Sequence, residues 1–273
     1  MDRQGDKMKV GFIGCGNMGG ALVRAAIKTV NAWQVAITDK DTKKAEDFAE
    51  ATGVVFESLP NLITGCDYIF LGVKPQVLPT LAEELKPILE KRESGFVLVS
   101  MLAGITTDRI KELLGDYPVI RIMPNLPVSV GEGMILYTAT SDVKKDELEG
   151  FLSLMSASGR FLKLDEGLFD AGTSVSGCGP AFVCQFIEAL AKGGESCGLS
   201  AEDSRLLAEQ TLLGTAKMLL ETGRDPADLR VAVCSPGGST IEGVKSLQAD
   251  GVDNIVSNAV AASYKRNIEL GKK

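Results

Sequence analysis

Short, predominantly apolar runs recur through the first half of the chain, and stretches with helical spacing of apolar residues separate them. One of these helical stretches is a charged amphipathic segment at residues 42–52, and the apolar runs lie at residues 9–13, 34–38, 68–73, 96–100 and 119–123. Continuous apolar strands of this length are typical of a parallel sheet that helices cover on both faces. The pattern therefore predicts an α/β domain.

The pattern changes near Asp165. Before this point we expect two weaker strands, at residues 134–138 and 160–164, and a helix at 146–155. After it only helical segments follow, and Ser200 with acidic residues behind it is typical of a helix N-cap. The predicted helices of this part lie at residues 182–192, 201–222, 226–233, 240–249 and 254–270.

The 273 residues are enough for two domains of ordinary size. We expect the first to comprise residues 1–164 and the second, all-helical one to comprise residues 165–273. Helices whose apolar faces are wider than one small bundle covers often meet a second subunit. We therefore expect an oligomer.

Composition excludes several kinds of chemistry. The chain contains no histidine, which rules out Ser-His-Asp and Cys-His catalysis, a His-Arg dehydrogenase pair and imidazole-ligated zinc. A net charge of −7 argues against a nucleic-acid partner. No apolar run approaches the ~18 residues of a membrane span, residues 1–9 do not resemble a leader, and the six cysteines include no CxxC pair. We expect a cytoplasmic protein without a membrane partner.

A glycine-rich motif, Gly14-x-Gly16-x-x-Gly19, follows the first predicted strand and precedes a helical stretch at residues 21–30. In dinucleotide-binding folds the first glycine makes a tight turn, the second admits a pyrophosphate and the third packs the helix against the strand. The helix N-terminus adds N–H groups and a positive dipole end. The predicted cofactor-binding residues of this segment are Ile13, Gly14, Cys15, Gly16, Asn17 and Met18.

The residues after the second predicted strand point to two different cofactors. Asp39 would accept hydrogen bonds from the hydroxyls of an adenosine ribose, which favours NADH. Lys40, Lys43 and Lys44 would neutralise a ribose phosphate, which favours NADPH, unless they are simply a solvated helix face. The sequence leaves the cofactor as NADPH or NADH.

Loops after the later strands are further candidates for the cofactor site. Ligands of open parallel sheets bind outside the carboxyl ends of the strands. Val73-Lys74-Pro75, Ala103-Gly104 and Pro124-Asn125 all fall at such ends. Glycine and proline are also common in loops without function, so the placement at one sheet edge is what carries this prediction.

Two segments rich in small residues open helices in the second half. Residues 176–182 (SGCGPAF) suit close helix packing, and we favour that interpretation over a direct catalytic role. Residues 234–240 (CSPGGST) combine glycines and hydroxyls at a helix start, where an anionic carboxylate would be bound. An ordinary N-cap is the alternative, but it would not need so many such residues, so this segment is our preferred substrate site.

Taken in order, these motifs resemble those of pyrroline-5-carboxylate reductases, which make L-proline from Δ1-pyrroline-5-carboxylate. The motifs that carry the resemblance are residues 13–19, 73–75, 121–125, 176–182 and 234–240, and the likeness runs over nearly the whole chain. The resemblance implies an N-terminal Rossmann dinucleotide-binding domain followed by an all-helical C-terminal dimerisation domain. It also implies a homodimer, which in many members assembles further into rings such as decamers.

The resemblance also implies residue roles. Gly14 to Met18 would hold the pyrophosphate, and Val73, Lys74, Pro75, Ala103 and Gly104 would flank the rest of the cofactor. Ser235, Gly238 and Ser239 would bind the carboxylate of the cyclic imino acid, and Thr240 would reach its ring nitrogen as the catalytic residue. A protonated cyclic imine already accepts hydride readily, so orientation suffices and no histidine is needed.

The chain departs from the family at Cys178 and Phe182, where members often have Ser and Tyr. Three alternative functions make different demands on the sequence. A β-hydroxyacid dehydrogenase would need Lys and Asn where Val183 and Phe186 stand, and a non-catalytic nicotinamide sensor would leave residues 235–240 without a purpose. A reductase for a cyclic imine of another ring size stays open.

Overall fold

A computed structural model describes residues 9–271, and the prediction that residues 1–9 are not a leader lies, except for Lys9, outside this part. The chain forms two compact units. The second unit is Cys178–Ser263, and the first contains the residues before it and the segment that begins at Tyr264. The predicted domain boundary between residues 164 and 165 stays a prediction, although the last strand does end at Lys163.

The first unit is built on an eight-stranded sheet with strand order β3-β2-β1-β4-β5-β6-β7-β8. Its first six strands are parallel, as expected. The strands are β1 (Val10–Ile13), β2 (Val35–Thr38), β3 (Val55–Phe56), β4 (Tyr68–Leu71), β5 (Val97–Ser100), β6 (Val119–Met123), β7 (Gly133–Ala139) and β8 (Gly159–Lys163).

The sheet departs from the sequence prediction at two strands. β3 has only two residues, too few to show a pattern. β7 runs antiparallel to β6, because the nine residues between them are too few for the crossover that a parallel neighbour needs. β8 follows a helix and is parallel to β7, so the sheet is mixed.

Helices cover both faces of the sheet, as the continuous apolar strands predict. Along β4, Tyr68 and Phe70 belong to one buried cluster, whereas Ile69 and Leu71 belong to the cluster on the other face. The helices of the first unit before residue 178 are α1 (Asn17–Ala26), α2 (Thr42–Thr52), α3 (Leu59–Gly65), α4 (Leu78–Leu89), α5 (Thr107–Leu114), α6 (Lys145–Leu154) and α7 (Phe169–Gly172).

Helix ends with local cap signals fall where the sequence predicts them. Asp41 accepts the N–H of Lys44 at the start of α2, and Gly53 ends that helix in the left-handed region. α1 and the helix after residue 178 both begin three or more residues earlier than predicted, at Asn17 and Gly179. Their first turns contain the glycines and proline that argue against helix in isolation, but tertiary packing holds them helical.

The second unit is entirely helical. Its helices are α8 (Gly179–Ser196), α9 (Ala201–Thr222), α10 (Pro226–Ala232), α11 (Ser239–Ala249) and most of α12 (Val252–Gly271). Ser200 caps α9 as predicted, because its Oγ accepts the N–H of Asp203 at 3.0 Å. Within the described residues no strand follows β8, which confirms the predicted change of pattern.

One prediction about the helical part was wrong. Consecutive helical turns at Glu166–Ser196 include an 18-residue window with a mean hydropathy of 1.2, and by length and composition alone this stretch is apolar enough to cross a membrane. It was missed because single polar residues interrupt it and no unbroken apolar run reaches the required length. Only 11% of its most apolar window is buried within the chain, so this stretch presents apolar surface.

Candidate functional site

The glycine-rich loop after β1 forms a compact cradle. Gly14 has a φ of 101°, and a side chain there would lie 2.6 Å from the carbonyl oxygen of Gly72. A side chain at Gly19 would collide with the carbonyl oxygen of Gly14, whereas Gly16 has open space around it. The open space beside Gly16 and the N-terminus of α1, which no side chain caps, fit a dinucleotide pyrophosphate.

Asp39 lies at the carboxyl end of β2 and is tied to the glycine-rich loop. Its Oδ2 accepts the backbone N–H of Cys15 at 2.9 Å, and its Oδ1 accepts the N–H of Asp41 at 3.2 Å. Burial opposes ionisation, but these hydrogen bonds, together with the Cys15 thiol and the charge of Lys44, outweigh it and hold the pKa of Asp39 below its ordinary value. Burial and the Asp39 carboxylate raise the pKa of Cys15 to about 11. The site therefore holds a fixed carboxylate and a neutral thiol.

The three lysines after Asp39 differ in what they contact. Lys43 forms an exposed ion pair with Asp47 at 2.6 Å on the surface of α2. Lys44 acts on the Asp39 carboxylate through its charge, and Lys40 is exposed. Among the described residues none of the three lysines forms an ion pair with Asp39, so this geometry is compatible with NADH and with NADPH.

The other predicted cofactor loops lie side by side at the same sheet edge. Ile13 is paired with Leu71, and Leu71 with Ser100, in the parallel register of β1, β4 and β5. The chain continues from these residues into the glycine-rich loop, into Val73-Lys74-Pro75 and into Ala103-Gly104. The structure therefore brings the predicted cofactor residues together in the first unit. Gly104 has a φ of 74°.

The predicted substrate residues lie in the second unit, at the start of α11. Gly238 is the N-cap of α11, and no side chain caps the helix. The N–H of Gly238 donates to the carbonyl oxygen of Ser235 at 3.0 Å and closes a turn. Within the described part of the chain the hydroxyls of Ser235, Ser239 and Thr240 form no hydrogen bond. Among the described residues no serine or threonine side chain therefore caps this helix, and its open N-terminus suits a carboxylate.

The segment at residues 176–182 has a different role from these two sites. It begins at the end of a π-helical turn, Thr173–Gly177, and leads into α8. Asn125, which the sequence places at a candidate ligand loop, donates to the carbonyl oxygen of Ser176 at 2.9 Å and accepts the N–H of Met134 at 2.8 Å. Asn125 thus serves the fold by satisfying backbone groups, and it does so with both ends of its amide.

Sequence reasoning missed a buried ion pair at the cofactor edge of the sheet. Arg121 on β6 is 3% exposed, and its Nη1 lies 2.8 Å from Oε1 of Glu166. The one available signal was a charged residue in the otherwise apolar strand VIRIM. Its partner lies 45 residues further on, and no local pattern indicates that distance.

Comparison with known proteins agrees with the architecture. A family profile described as NADP oxidoreductase, coenzyme F420-dependent, matches residues 9–104, and one described as pyrroline-5-carboxylate reductase dimerisation matches residues 166–270. The chain is 37% identical to a pyrroline-5-carboxylate reductase of Arabidopsis thaliana, over 98% of this chain and 97% of that protein.

Solved structures of the same name are also similar. A pyrroline-5-carboxylate reductase from Coxiella burnetii is 33% identical with a TM-score of 0.90, covering 97% of this chain and 99% of that one. A Plasmodium falciparum pyrroline carboxylate reductase with NADP bound is 29% identical with a TM-score of 0.83, covering 97% and 98%.

The fold and the glycine-rich cradle together define a nicotinamide-dependent oxidoreductase of the Rossmann class with a helical C-terminal domain. Within that class the chain belongs to the pyrroline-5-carboxylate reductase family. This confirms the predicted fold class and the resemblance on which the sequence interpretation rests.

Proposed function

We propose that this protein reduces Δ1-pyrroline-5-carboxylate to L-proline with NADPH or NADH. The observation that carries the proposal is the start of α11, where an uncapped helix N-terminus stands beside three free hydroxyls in a chain that belongs to this family. A carboxylate bound at such an N-terminus is stabilised by the helix dipole and by backbone N–H groups. Family membership and the open glycine cradle support the cofactor class.

The residues of the first unit would hold the cofactor, which supplies hydride from its nicotinamide ring. The loop from Ile13 and Gly14 through Cys15, Gly16, Asn17 and Met18 would bind the pyrophosphate. Asp39 would accept hydrogen bonds from the ribose hydroxyls, because two backbone N–H groups already orient its ionised carboxylate. The residues that would flank the nicotinamide half are Val73, Lys74, Pro75, Ala103 and Gly104.

The residues of the second unit would hold the substrate. Ser235, Gly238 and Ser239 would bind its carboxylate, and the Thr240 hydroxyl would contact the ring nitrogen. Reduction adds hydride to the imine carbon and leaves one proton on the nitrogen, so the protein must orient the ring and allow that proton to be delivered. Thr240 either orients the nitrogen or passes it a proton from water; both roles need only a hydroxyl.

The oligomeric state and the location are part of the proposal. The dimerisation profile over residues 166–270 and the exposed apolar helices support a homodimer, and further assembly into a decamer is proposed from the family resemblance. A cytoplasmic protein without nucleic-acid or membrane partners agrees with the net charge of −7. On this view the apolar stretch Glu166–Ser196 is covered by a second subunit.

Mixing the purified protein with Δ1-pyrroline-5-carboxylate and following the absorbance of NADPH and, separately, NADH tests the function. We expect rapid oxidation of at least one cofactor and a faster rate with NADH if Asp39 decides the preference. If the folded protein binds a cofactor but does not oxidise it when Δ1-pyrroline-5-carboxylate is added, the assignment moves to other cyclic imines.

Thr240→Ala tests the role of the hydroxyl. We expect turnover to fall by about 10²-fold or more, the usual scale for a lost positioning or proton-transfer group, while cofactor affinity changes less than about twofold. Ser200→Ala, which removes a hydroxyl from the N-cap of α9, is the matched control and should keep its turnover. Equal losses of turnover and cofactor affinity in Thr240→Ala would contradict the assigned role.

A further inference from the structure

A buried charged group lies next to the loop that follows β5. We call residues 101–106 the cofactor loop, because it contains Ala103 and Gly104. The guanidinium of Arg121 lies 4.6 Å from the centroid of the Phe169 ring, with its Nη1 at 2.8 Å from Glu166. Its Nε has no hydrogen-bond partner among the described residues. A guanidinium that is 3% exposed and incompletely paired does not serve stability well.

Glu166 connects this guanidinium to the end of the cofactor loop. Its Oε1 accepts the backbone N–H of Thr107 at 2.8 Å, and its Oε2 accepts the Thr107 hydroxyl at 2.8 Å. Thr107 is the first residue of α5, directly after the loop. The carboxylate therefore accepts three hydrogen bonds, and two of them hold the point where the loop enters its helix.

The start and the middle of the loop are held as well. The buried Ser100 is the register partner of Arg121 in the sheet, and its Oγ accepts the N–H of Leu102 at 3.3 Å. A side chain at Gly104 would lie 3.2 Å from the Cα of Gly271, in the last turn of α12. The loop is therefore tied at its start by Ser100, packed closely at Gly104, and tied at its end by Glu166 through Thr107.

We propose that Glu166 is a positioning residue that, held by Arg121, sets the place of the cofactor loop against the nicotinamide half of the cofactor. The proposal rests on the proposed cofactor role of Ala103 and Gly104. Glu166 itself touches neither the cofactor nor the substrate in this scheme; it acts through Thr107. A buried ion pair contributes little net stability. A positioning role therefore explains the presence of the Arg121–Glu166 pair better than a stabilising role does.

Glu166→Gln tests the proposal, with the dissociation constant of NADPH and of NADH, measured by fluorescence titration, as the readout. This readout does not depend on the identity of the imine. We expect affinity for the better cofactor to fall by about tenfold, since small displacements of a binding group have effects of this size. Glu112→Gln is the matched control, because Glu112 lies on α5 and pairs with Arg109 at the surface; its affinity should stay within about twofold.

A second pair of variants separates positioning from folding. Thr107→Val removes the hydroxyl that donates a hydrogen bond to Glu166 and keeps the backbone N–H, whereas Thr107→Ser keeps both donors. We expect Thr107→Val to lower cofactor affinity about threefold and Thr107→Ser to keep the affinity of the wild type. In the Glu166→Gln background, Thr107→Val should lower the affinity little further, because both changes break the same contact. If Glu166→Gln does not fold, the Val and Ser variants carry the test alone.

The outcomes distinguish the two proposals. The positioning role would be overturned if Glu166→Gln and Thr107→Val lower the melting temperature but leave the cofactor dissociation constants unchanged. That result would show that the contacts are only structural. Wild-type protein that binds neither cofactor would overturn the proposed function and this inference with it. Wild-type protein that binds cofactor but reduces no pyrroline leaves the affinity comparison fully decisive.

Discussion

The two compact units differ sharply in how they bury their apolar side chains. In the first, large aromatic residues lie in a closed core: Phe12 and Phe70 are fully buried and stack at 4.2 Å between ring centroids. In the second, all of whose residues the structure describes, the buried residues are Ala191, Ser204, Ala208 and Leu229.

Helix α9 shows the contrast most clearly. Leu206, Leu213 and Leu220 recur every seven residues along one side, and each is more than half exposed. An apolar stripe of this kind on a single chain is a surface for another helix. The comparison shows that the first unit carries its own core, whereas the second leaves much of its apolar surface open, which agrees with the dimerisation profile over residues 166–270.

The largest effect is expected from a change in the closed core. Phe70→Ala should lower the free energy of unfolding by about 3–5 kcal/mol, because it removes a stacked ring and leaves a cavity. Urea denaturation followed by circular dichroism measures it. Leu206→Ala, in the second unit, should cost under about 1 kcal/mol in dissociated protein. Equal losses in the two variants would remove the distinction between the units.

The next effect concerns the exposed stripe. Leu213→Glu puts a charge into the middle of it, and we expect the oligomer to dissociate at micromolar concentrations with the helical content retained. Light scattering after size-exclusion chromatography reports the mass. Val130→Glu is the matched control, because Val130 is 72% exposed in the first unit; its mass should stay that of the wild type. A Leu213→Glu protein that keeps its mass would show that another surface forms the interface.

The smallest effect is a local electrostatic one in the first unit. The pKa of Asp39 is lowered in the folded protein, so its stabilising contribution is present above the unfolded pKa near ~3.9 and is lost as pH falls through the folded value. Because the carboxylate is partly exposed and screened, we expect Asp39→Asn to cost under about 1 kcal/mol at neutral pH. The cost should shrink as the pH falls below ~3.9. Urea unfolding at neutral pH and in acid measures the difference, and a cost that stays the same in acid would show that it does not come from the ionised carboxylate.

Much of the first unit could be predicted from local pattern. Five parallel strands (β1, β2, β4, β5 and β6) were predicted because each is a buried apolar run, whereas the two-residue β3 was not. The cradle was predicted because its glycines lie between a strand and a helix. The signature at residues 234–240 was recognisable because its glycines and hydroxyls are contiguous. The roles of these site residues stay predictions until the measurements above are made.

Other features had no local signal. The antiparallel pairing of β7 depends on the short connection and on which edge of the sheet is available. The early start of α1 depends on backbone that packs against Gly14 and on Phe48, which lies 3.0 Å from where a side chain at Gly20 would be. The sequence alone predicts a parallel neighbour for β6 and a later start for α1, and in both places contacts between distant segments decide differently.

The sequence by itself determined where the apolar strands β1, β2, β4, β5 and β6 lie, where helices such as α2 and α9 begin, and which family the chain belongs to. These properties depend on residues close together in the chain, whose spacing survives without a fold. Only the tertiary structure decided that Glu166 holds Thr107 and Arg121, 59 and 45 residues away. It also decided that the stripe on α9 is left open. Contacts between distant segments depend on how the elements pack, and no local spacing encodes that packing.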